Sequence, residues 1–295
     1  MFAIGLCTDE EYLLPSLVVL TSLADALSAA DRQAAAIRVL TTNLTPKHAA
    51  TLAGAARSLG YGSIDIAWDN PARAWPIVGA KYITATTYLR FHYTKAFLGR
   101  PYLAYLDSDI LVLADPTRPL HHLDEHEVGL VRDTLNHTVG RGDALPGLVD
   151  RRPDHRGQPY YNAGMMWCHT TVLPGLRRGI TDVMATESAH IYFNDQDALN
   201  LWGLRTRALR SVDGIYNAFE LDRFRQIGNW VDRAARPPST EAPAIIHFIG
   251  PDKPWHATCP TTPAVTLYRA YLRRAQRIAE LTGDLSLRVT AQAPA

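Results

Sequence analysis

The first half of the chain alternates between short apolar runs rich in β-branched and aromatic residues and longer segments whose apolar positions recur with helical spacing. Strands that alternate with helices form a parallel sheet covered by helices on both faces. Pro15 and Pro46 lie in the first turns of two predicted helices, and Gly60 follows the end of one, as helix boundaries require. The pattern therefore predicts a Rossmann-like, doubly wound α/β fold with a mainly parallel sheet. The predicted elements are, in chain order, strand 2–7, helix 15–27, strand 36–41, helix 46–59, strand 63–68, helix 84–98 and strand 102–106.

The second half of the chain is less regular. Further apolar runs occur at residues 128–131, 163–168 and 244–249, and long irregular segments separate them. Residues 134–159 are polar and rich in glycine and proline. Loops of this length in compact domains are usually lids, binding loops or disordered segments, and these alternatives stay open.

An amphipathic helix is predicted near the carboxyl terminus, at residues 266–281. Leu267, Tyr271 and Ile278 lie on one stripe of this helix, and its arginines lie elsewhere. Such a helix either closes a domain as an ordinary surface helix or lies on a membrane surface. The tail from Thr290 onward is predicted to be disordered.

Composition narrows the classes of function. A chain of 295 residues with 47% hydrophobic residues can bury one large core. A net charge of +1 predicts no attraction to nucleic acid, so any polyanionic ligand must be neutralised locally. The three cysteines are widely separated, which predicts neither disulfides nor a zinc site. We expect a cytoplasmic protein, because the sequence shows no basic region of a signal peptide and no apolar run of about 20 residues.

Two acidic residues follow the fourth predicted strand, at the end of a sheet where ligands bind. Asp107 and Asp109 flank Ser108 directly after the apolar run 102–106. Because residues i and i+2 of an extended chain face the same side, both carboxylates can bind one hard cation. Without a cation, two adjacent anions would repel each other and resist burial. The motif therefore predicts a divalent-metal site.

Two other interpretations of the Asp-Ser-Asp motif stay open. An Asx turn or a cap at the strand end needs no metal. The haloacid-dehalogenase phosphatases also carry two acids after an apolar strand, and their first Asp is a nucleophile. In those enzymes the motif follows the first strand and continues with Thr or Val. Here it follows three strand–helix units and continues with Ile110 and Leu111, which makes the phosphatase the weaker alternative.

A second candidate motif begins at His247 and reads HFIGPDKPW. The imidazole could add a nitrogen ligand, and a site of carboxylates and imidazole suits manganese better than calcium. Lys253 could approach a diphosphate as a point charge, and Gly250 would permit close approach of the backbone. Taken alone, His247 is more typical of a histidine packed in a strand, and it is the whole motif that favours a ligand.

Several short motifs occur in the same order as in a known family. They are CTDEEY at 7–12, YLR at 88–90, YLDSD at 105–109, YNAG at 161–164, DQDALN at 195–200 and the motif that begins at residue 247. In this order they resemble glycosyltransferase family 8, which includes glycogenin and the bacterial lipopolysaccharide galactosyl- and glucosyltransferases. The resemblance covers nearly the whole chain.

The resemblance implies a fold of the GT-A type, with a catalytic domain at residues 1–260 and a helical appendage and tail at 261–295. It implies a UDP-sugar as donor and manganese or magnesium as the cation. The ligands of that cation would be Asp107, Asp109 and His247. An acceptor saccharide or another hydroxyl compound would be the second substrate. Peripheral contact with the inner face of the membrane would run through the carboxyl-terminal helix.

The same resemblance assigns residues to the donor. The residues implied at the nucleotide and diphosphate are Cys7, Asp9, Glu11, Ser108, Gly250 and Lys253. The residues implied around the donor sugar are Arg90, Asp133, Asn162, Asp195 and Gln196. Each has a structural alternative, such as a buried thiol, a helix cap or a turn former. Glu11 departs from the neutral amide expected in bacterial relatives, which makes nucleobase recognition less certain than metal binding.

The implied reaction is transfer of a hexose with retention of the anomeric configuration. Gln196 is a poor nucleophile, and Asp195 could instead hold sugar hydroxyls, so a front-face attack is favoured over a double displacement. A nucleotide-sugar-binding protein without turnover is the alternative outside enzymes.

Overall fold

A computed structural model describes residues 1–71, 75–77, 84–226 and 241–282 of the chain. Its strands are β1 (Phe2–Thr8), β2 (Ala36–Thr41), β3 (Ser63–Trp68), β4 (Tyr102–Leu106), β5 (Ile110–Val112), β6 (Val128–Val131), β7 (Met165–His169), β8 (Leu209–Val212), β9 (Ala218–Phe219) and β10 (Ile245–His247). Its α-helices are α1 (Leu13–Ala26), α2 (Ala29–Ala34), α3 (Pro46–Ser58), α4 (Lys95–Leu98), α5 (Leu148–Arg151), α6 (Leu173–Thr186), α7 (Asp195–Thr206), α8 (Asp222–Gln226) and α9 (Pro263–Leu281). Short 3₁₀ helices occur at Ala85–Phe91, Arg118–His122, Pro153–His155, Ser188–His190 and Gly214–Asn217.

The central sheet has seven strands in the order β3-β2-β1-β4-β7-β6-β8. Its strands run in one direction except β7, which pairs antiparallel with both β4 and β6. The predicted strands of the first half are all present, and the prediction of a mainly parallel α/β sheet is confirmed. A second sheet of three strands, in the order β5-β10-β9, contains residues 245–247 of the predicted run 244–249.

The sheet contains a topological switch point between β1 and β4. From β1 the chain proceeds outward on one side to β2 and β3, whereas β4 pairs with the other side of β1. Leu6 lies opposite Leu106 in this parallel pair, so Cys7, near the end of β1, and Asp107, after β4, lie at the same edge of the sheet. In open α/β sheets a ligand binds in the crevice outside the carboxyl ends of such strands.

Hydrophobic cores cover both faces of the sheet. Because side chains alternate along a strand, Ile4 and Leu6 of β1 join the core that includes α1 and α9. Ala3 and Cys7 join the opposite core, which includes α6 and α7. Helix α1 is buried over nearly its whole length, from Leu13 to Ala24, as expected of a helix that is apolar all round. Burial of each large aliphatic side chain contributes about 1.5–3 kcal/mol.

The predicted helix 84–98 is not continuous, which corrects the sequence-based expectation. It divides into the 3₁₀ helix Ala85–Phe91 and the short α4. The Arg90 guanidinium donates to the Thr87 carbonyl (2.8 Å) and to the Thr87 hydroxyl (3.1 Å), so this carbonyl is engaged by a side chain. The Thr94 hydroxyl then accepts from the Phe97 amide at 3.2 Å and starts a new helix.

Residues 134–159 form an ordered excursion rather than a structureless loop. They contain α5 and a 3₁₀ turn, and Val139, Leu145 and Leu148 are buried in the core beneath α6 and α7. Thr138 and Pro159 form an isolated antiparallel bridge that closes the base of the excursion. The disordered alternative is therefore wrong, and a role as a lid stays a prediction.

Helix α9 packs against α1 and α3. Its buried positions are Val265, Tyr268, Leu272, Ala275 and Ala279. The stripe predicted from the sequence lies at the edge of this face, because Leu267 is 40% exposed and Tyr271 and Ile278 are only partly buried. The predicted disordered tail lies outside the described residues. Among the described helices, none is long and apolar enough to span a bilayer.

Candidate active site

Three side chains that could bind a cation converge at the switch point. Asp107 and Asp109 follow β4, and His247 ends β10, which pairs antiparallel with β5. One ligand atom from each residue lies within 4.8 Å of the others. His247 Nε2 lies 3.2 Å from a carboxylate oxygen of Asp109. The structure therefore brings together the three residues that the sequence analysis assigned to a metal.

Each carboxylate of this triad also has a cationic neighbour. Arg90 donates to Asp107 at 2.9 Å, and Lys253 Nζ donates to Asp109 at 2.5 Å and to the Phe248 carbonyl at 2.8 Å. Burial raises the pKa of Asp107, against the opposing effect of Arg90. At Asp109 burial is outweighed mainly by the Lys253 ammonium group, so the pKa of Asp109 is lowered. The two acids therefore differ in pKa although they are two residues apart.

The space around the triad is shaped for a close approach of side chains. Gly164, just before β7, accepts from the Asp107 amide at 2.8 Å through its carbonyl. A Cβ atom at Gly164 would lie 2.5 Å from Cε1 of His247 and 2.9 Å from the side-chain oxygen of Asn162. Only a residue without a side chain leaves room for the imidazole here. Two carboxylates and an imidazole with this geometry fit a divalent transition-metal ion.

Three of the residues assigned to the donor sugar, Asp133, Asn162 and Gln196, form one hydrogen-bonded network beside the triad. Asn162 Nδ2 donates to Gln196 Oε1 at 2.8 Å, and Gln196 Nε2 donates to Asp133 at 3.2 Å. The other Asp133 oxygen accepts from the backbone amides of Leu135 and Asn136, at the start of the excursion 134–159. Burial raises the pKa of Asp133. The predicted residues are thus adjacent, and the same network reaches the excursion.

Arg90 joins this network to the triad. It lies between Asp107 and Asp195, which is 3.2 Å from its guanidinium at the start of α7, and it packs over the Tyr105 ring at 4.8 Å. It also donates to the Ala163 carbonyl. Burial opposes its charge, but the carboxylates of Asp107 and Asp195 outweigh burial and raise the pKa of Arg90. Arg90 is 4% exposed, so it is not a solvated arginine on a helix surface.

The residues assigned to the nucleotide line the ends of β1 and β4. The Asp9 carboxylate accepts from the Tyr12 amide at 3.0 Å and from the Thr86 hydroxyl at 3.1 Å, so it orders the turn before α1. Ser108 donates to the Cys7 carbonyl at 2.9 Å. Burial raises the pKa of the Cys7 thiol to about 12, which makes it unreactive at neutral pH. Glu11 is exposed beside this turn.

The loop after β10 holds Lys253 over Asp109. Gly250 has a positive φ of 77°, and a Cβ there would lie 3.0 Å from the Phe224 ring, so both backbone and packing favour glycine. The buried Arg223 donates to the Ile249 carbonyl and forms an ion pair with Glu220 at 2.9 Å. This contact fixes the loop from beneath.

Three residues of the site were not predicted from the sequence. Tyr105 donates to Asp107 at 2.5 Å, Tyr160 donates to Asp197 at 2.6 Å, and Asn217 Oδ1 lies 2.9 Å from His247 Nδ1. The two tyrosines lie in or next to quoted motifs, but Asn217 lies outside every motif. Nothing in the spacing of a single chain relates it to His247.

An α/β fold with a switch point, a candidate metal triad and a lysine beside it is an arrangement typical of enzymes that bind phosphorylated ligands. The family model described as glycosyl transferase family 8 matches residues 3–259. The chain belongs to glycosyltransferase family 8, and the resemblance stated above is confirmed. The glycosyltransferase interpretation is accordingly favoured over the phosphatase.

Solved structures agree on the fold. An active-site mutant of LgtC superposes with a TM-score of 0.70 at 21% identity, over 93% of this chain and 96% of LgtC. The galactosyltransferase LgtC, in complex with donor and acceptor sugar analogues, gives 0.68 at 21% identity, over 97% and 98%. GlyE of Streptococcus pneumoniae gives 0.63 at 19% identity, over 95% of this chain and 63% of GlyE. The fold is of the GT-A type. No curated protein sequence matches the chain significantly.

Proposed function

We propose that the protein transfers a hexose from a UDP-sugar to an acceptor hydroxyl, with retention of configuration and with manganese or magnesium as the cation. The observation that carries this proposal is the convergence of Asp107, Asp109, His247 and Lys253 at the switch point of the sheet. A diphosphate requires local positive charge, because the whole chain carries only +1.

The cation would be held by Asp107, Asp109 and His247. When bound, it would supply electrophilic stabilisation of the negative charge that develops on the diphosphate. Lys253 lies against the same carboxylate, so its ammonium group can donate to a phosphate oxygen beside the triad. Cys7, Asp9, Glu11, Ser108 and Gly250 are proposed to surround the nucleotide on the side of β1 and the 247–255 loop.

The sugar is proposed to lie against Arg90, Asp133, Asn162, Asp195 and Gln196. Both polar groups of the Gln196 amide are already engaged, by Asn162 and Asp133, and an amide is in any case a poor nucleophile. Arg90 engages Asp195 in an ion pair. These contacts favour a front-face substitution. The acceptor oxygen bonds to the anomeric carbon on the face from which the phosphate oxygen departs, and that phosphate oxygen takes the acceptor proton.

The location and partners of the enzyme follow as parts of the proposal. We infer a cytoplasmic enzyme whose acceptor is a saccharide or another hydroxyl compound. Arg273 and Arg277 of α9 lie outside its buried face, where basic side chains could contact anionic lipid at the inner membrane surface. The proposed catalytic domain covers residues 1–260, and the proposed appendage covers residues 261–295. A binding protein without turnover is the alternative that the next experiment excludes or supports.

The test is a screen of UDP-sugars with manganese and simple saccharide acceptors. Expected results are loss of turnover with chelator, recovery with manganese, and a product whose anomeric linkage, read by proton NMR, matches that of the donor. Asp109→Asn should abolish turnover, and Glu125→Gln, at an exposed position, should not. Turnover that chelator does not reduce would exclude a requirement for the metal. UDP binding without turnover would favour the binding protein.

A further inference from the structure

A chain of buried amide side chains ends on the ring of His247. Asn217 lies just before β9 and is 2% exposed. Its Oδ1 atom lies 2.9 Å from His247 Nδ1, and its Nδ2 atom lies 2.8 Å from Asn162 Oδ1. The opposite ring nitrogen, Nε2, faces Asp109 at 3.2 Å. Asn217 therefore contacts the imidazole on the side that faces away from the carboxylates.

The orientation of these amides follows from a backbone group. The oxygen and nitrogen of an asparagine amide must be assigned from their partners. The Gly164 amide, which can only donate, lies 2.9 Å from one terminal atom of Asn162, so that atom is the oxygen. The Asn217 atom that faces this oxygen must be a donor, its NH₂ group. The Asn217 oxygen is then left to face His247.

The hydrogen bonds of Gln196, at the other end of this row of amide side chains, require the same orientation. The Asn162 NH₂ donates to the Gln196 oxygen at 2.8 Å, and the Gln196 NH₂ donates to Asp133 at 3.2 Å. The Ala163 amide, which can only donate, lies 3.2 Å from the same Gln196 oxygen, so the order of donors and acceptors is consistent from Gln196 to the Gly164 amide. Reversal of any single amide would place two donors or two acceptors against each other.

The orientation determines the tautomer of a neutral His247 ring. An oxygen at Asn217 accepts only if Nδ1 carries the proton, which leaves the lone pair on Nε2. Nε2 and the Asp109 oxygen then face each other as two acceptors 3.2 Å apart. Two facing lone pairs suit a shared cation. A hydrogen bond to the distal nitrogen of a metal-binding histidine commonly fixes ring orientation and tautomer.

We propose that Asn217 is a positioning residue, which sets the Nδ1-protonated tautomer of His247 through a relay anchored on the Gly164 amide and thereby keeps Nε2 free for a cation. The proposal rests on the proposed function in one respect, that a cation binds at Nε2. Phe219, edge-on to the ring at 5.6 Å between centroids, packs the imidazole but does not distinguish its nitrogens.

Two substitutions at Asn217 distinguish an effect on the His247 tautomer from an effect on packing. Asn217→Asp keeps an oxygen that accepts from Nδ1, and its protonated carboxyl can also donate to Asn162 Oδ1 in place of the amide NH₂. Asn217→Leu keeps the number and branching of the side-chain heavy atoms and removes the acceptor. Thr170→Val is the control for a buried polar-to-apolar change, because Thr170 is 0% exposed and its hydroxyl has no hydrogen-bond partner in the described part of the chain. Circular dichroism and thermal melts would establish that each variant is folded.

The first measurement uses the metal-free protein with ¹⁵N-labelled histidine, at a pH where the ring is neutral. Long-range proton–nitrogen NMR correlations report which ring nitrogen carries the proton, and His247→Gln assigns the signals. We expect the proton on Nδ1 in the wild type and in Asn217→Asp, and a mixture of tautomers in Asn217→Leu. If the proton lies on Nε2 in the wild-type protein, the proposed relay is refuted without the variants.

The second measurement is manganese affinity, from the EPR signal of free Mn²⁺. We expect Asn217→Leu to weaken affinity roughly 10–100-fold, with Asn217→Asp and Thr170→Val close to the wild type. Equal losses in Asn217→Leu and Asn217→Asp, or none in either, would refute the role of the acceptor. If the wild type itself binds no manganese, the proposed function fails, and the NMR result alone decides the tautomer.

Discussion

At the scale of single residues, the site depends on small groups as much as on charged ones. Asp107 and Asp109 each have a cationic neighbour, and Gly164 provides the space in which His247 and Asn162 approach each other. The missing side chain of Gly164 leaves space for the His247 ring, and the Gly164 amide orients Asn162. Both therefore determine where the charged ligands lie. A substitution at Gly164 should therefore weaken metal binding although it removes no ligand.

Gly164→Ala should weaken manganese binding at least about 10-fold while all three ligands remain. The added Cβ would lie 2.5 Å from His247 Cε1 and 3.0 Å from Nδ1, so the ring must move. EPR titration of Mn²⁺ would measure the change. Gly175→Ala in α6, where the added Cβ meets nothing within 4 Å, is the matched control and should bind normally. Unaltered affinity in Gly164→Ala would mean that the ring is not confined there.

Asp197 carries the clearest pH-dependence outside the triad. It accepts from the amides of Tyr192 and Phe193 and from the Tyr160 hydroxyl, and burial, against these hydrogen bonds, raises its pKa to about 6. An unfolded Asp has a pKa of about 3.9. Because the folded state holds the proton more tightly, the stability from this group is complete below about pH 4 and is lost as the pH rises through 6.

We therefore predict that the wild type gains stability relative to Asp197→Asn as the pH falls from about 7.5 to 5. The two-unit difference in pKa corresponds to roughly 3 kcal/mol over the whole titration, and roughly 1.4 kcal/mol of it falls between about pH 7.5 and 5. Urea denaturation at several pH values measures the free energy of unfolding of both proteins. Thr51→Val, a buried substitution that does not titrate, should differ from the wild type by a constant amount. A constant difference for Asp197→Asn would contradict the raised pKa.

At the scale of elements, the excursion 134–159 is attached at points that the sequence does not reveal. Glu187, after α6, accepts from Arg152 of the excursion and from Arg205 of α7, each at 2.6 Å. Burial opposes the charge of Glu187, but these two arginines outweigh it and lower its pKa. The Pro146 carbonyl also lies 2.7 Å from His190 Nδ1. A lid movement would have to break these contacts or pivot on them.

Glu187→Gln should lower the free energy of unfolding by about 1–3 kcal/mol, because two guanidinium groups lose a largely buried partner. Hydrogen exchange in residues 134–159 should become faster. Asp182→Asn is the control, because its side chain is 62% exposed and its pair with Arg205 is worth about 0–1 kcal/mol.

Exchange in the same segment should slow when UDP-sugar and manganese bind to the wild type, if the excursion acts as a lid. Exchange that is insensitive to both the substitution and the ligands would count against this role.

At the scale of the whole molecule, the carboxyl-terminal helix belongs to the same hydrophobic core as the sheet. Leu272 and Tyr268 of α9 pack in the core that contains Ile4 and Leu6 of β1. Arg269 donates to the carbonyls of Pro254, His256 and Cys259, so the helix also supports the loop that carries Lys253. Changes in α9 are therefore expected to reach the active site.

Leu272→Ala should lower the free energy of unfolding by about 2–3 kcal/mol and shift a single unfolding transition as a whole. Leu267→Ala, at a position 40% exposed, should change it by about 0.5 kcal/mol or less. Urea unfolding followed by tryptophan fluorescence would measure both. If Leu272→Ala leaves the main unfolding transition unchanged, the helix is an independent appendage.

The sequence by itself determined the features that depend on neighbours along the chain. The spacing of apolar residues placed the strands of the sheet, and two acids two residues apart at the end of β4 predicted a cation site. Short motifs in order assigned Arg90, Asn162 and Gln196 to one site, and the structure places Asn162 against Gln196 and Arg90 against Asp107. Local periodicity and strand ends are sufficient for such predictions, because they follow from backbone geometry.

Only the tertiary structure decided the features that join distant parts of the chain. The break in the helix 84–98, the buried face of α9 and the contact of Asn217 with His247 all depend on partners that sequence spacing does not identify. A hydrogen bond requires its two atoms within about 3 Å, and packing of the whole chain sets that distance. The sequence therefore specified which groups are present, and the fold determined which of them meet.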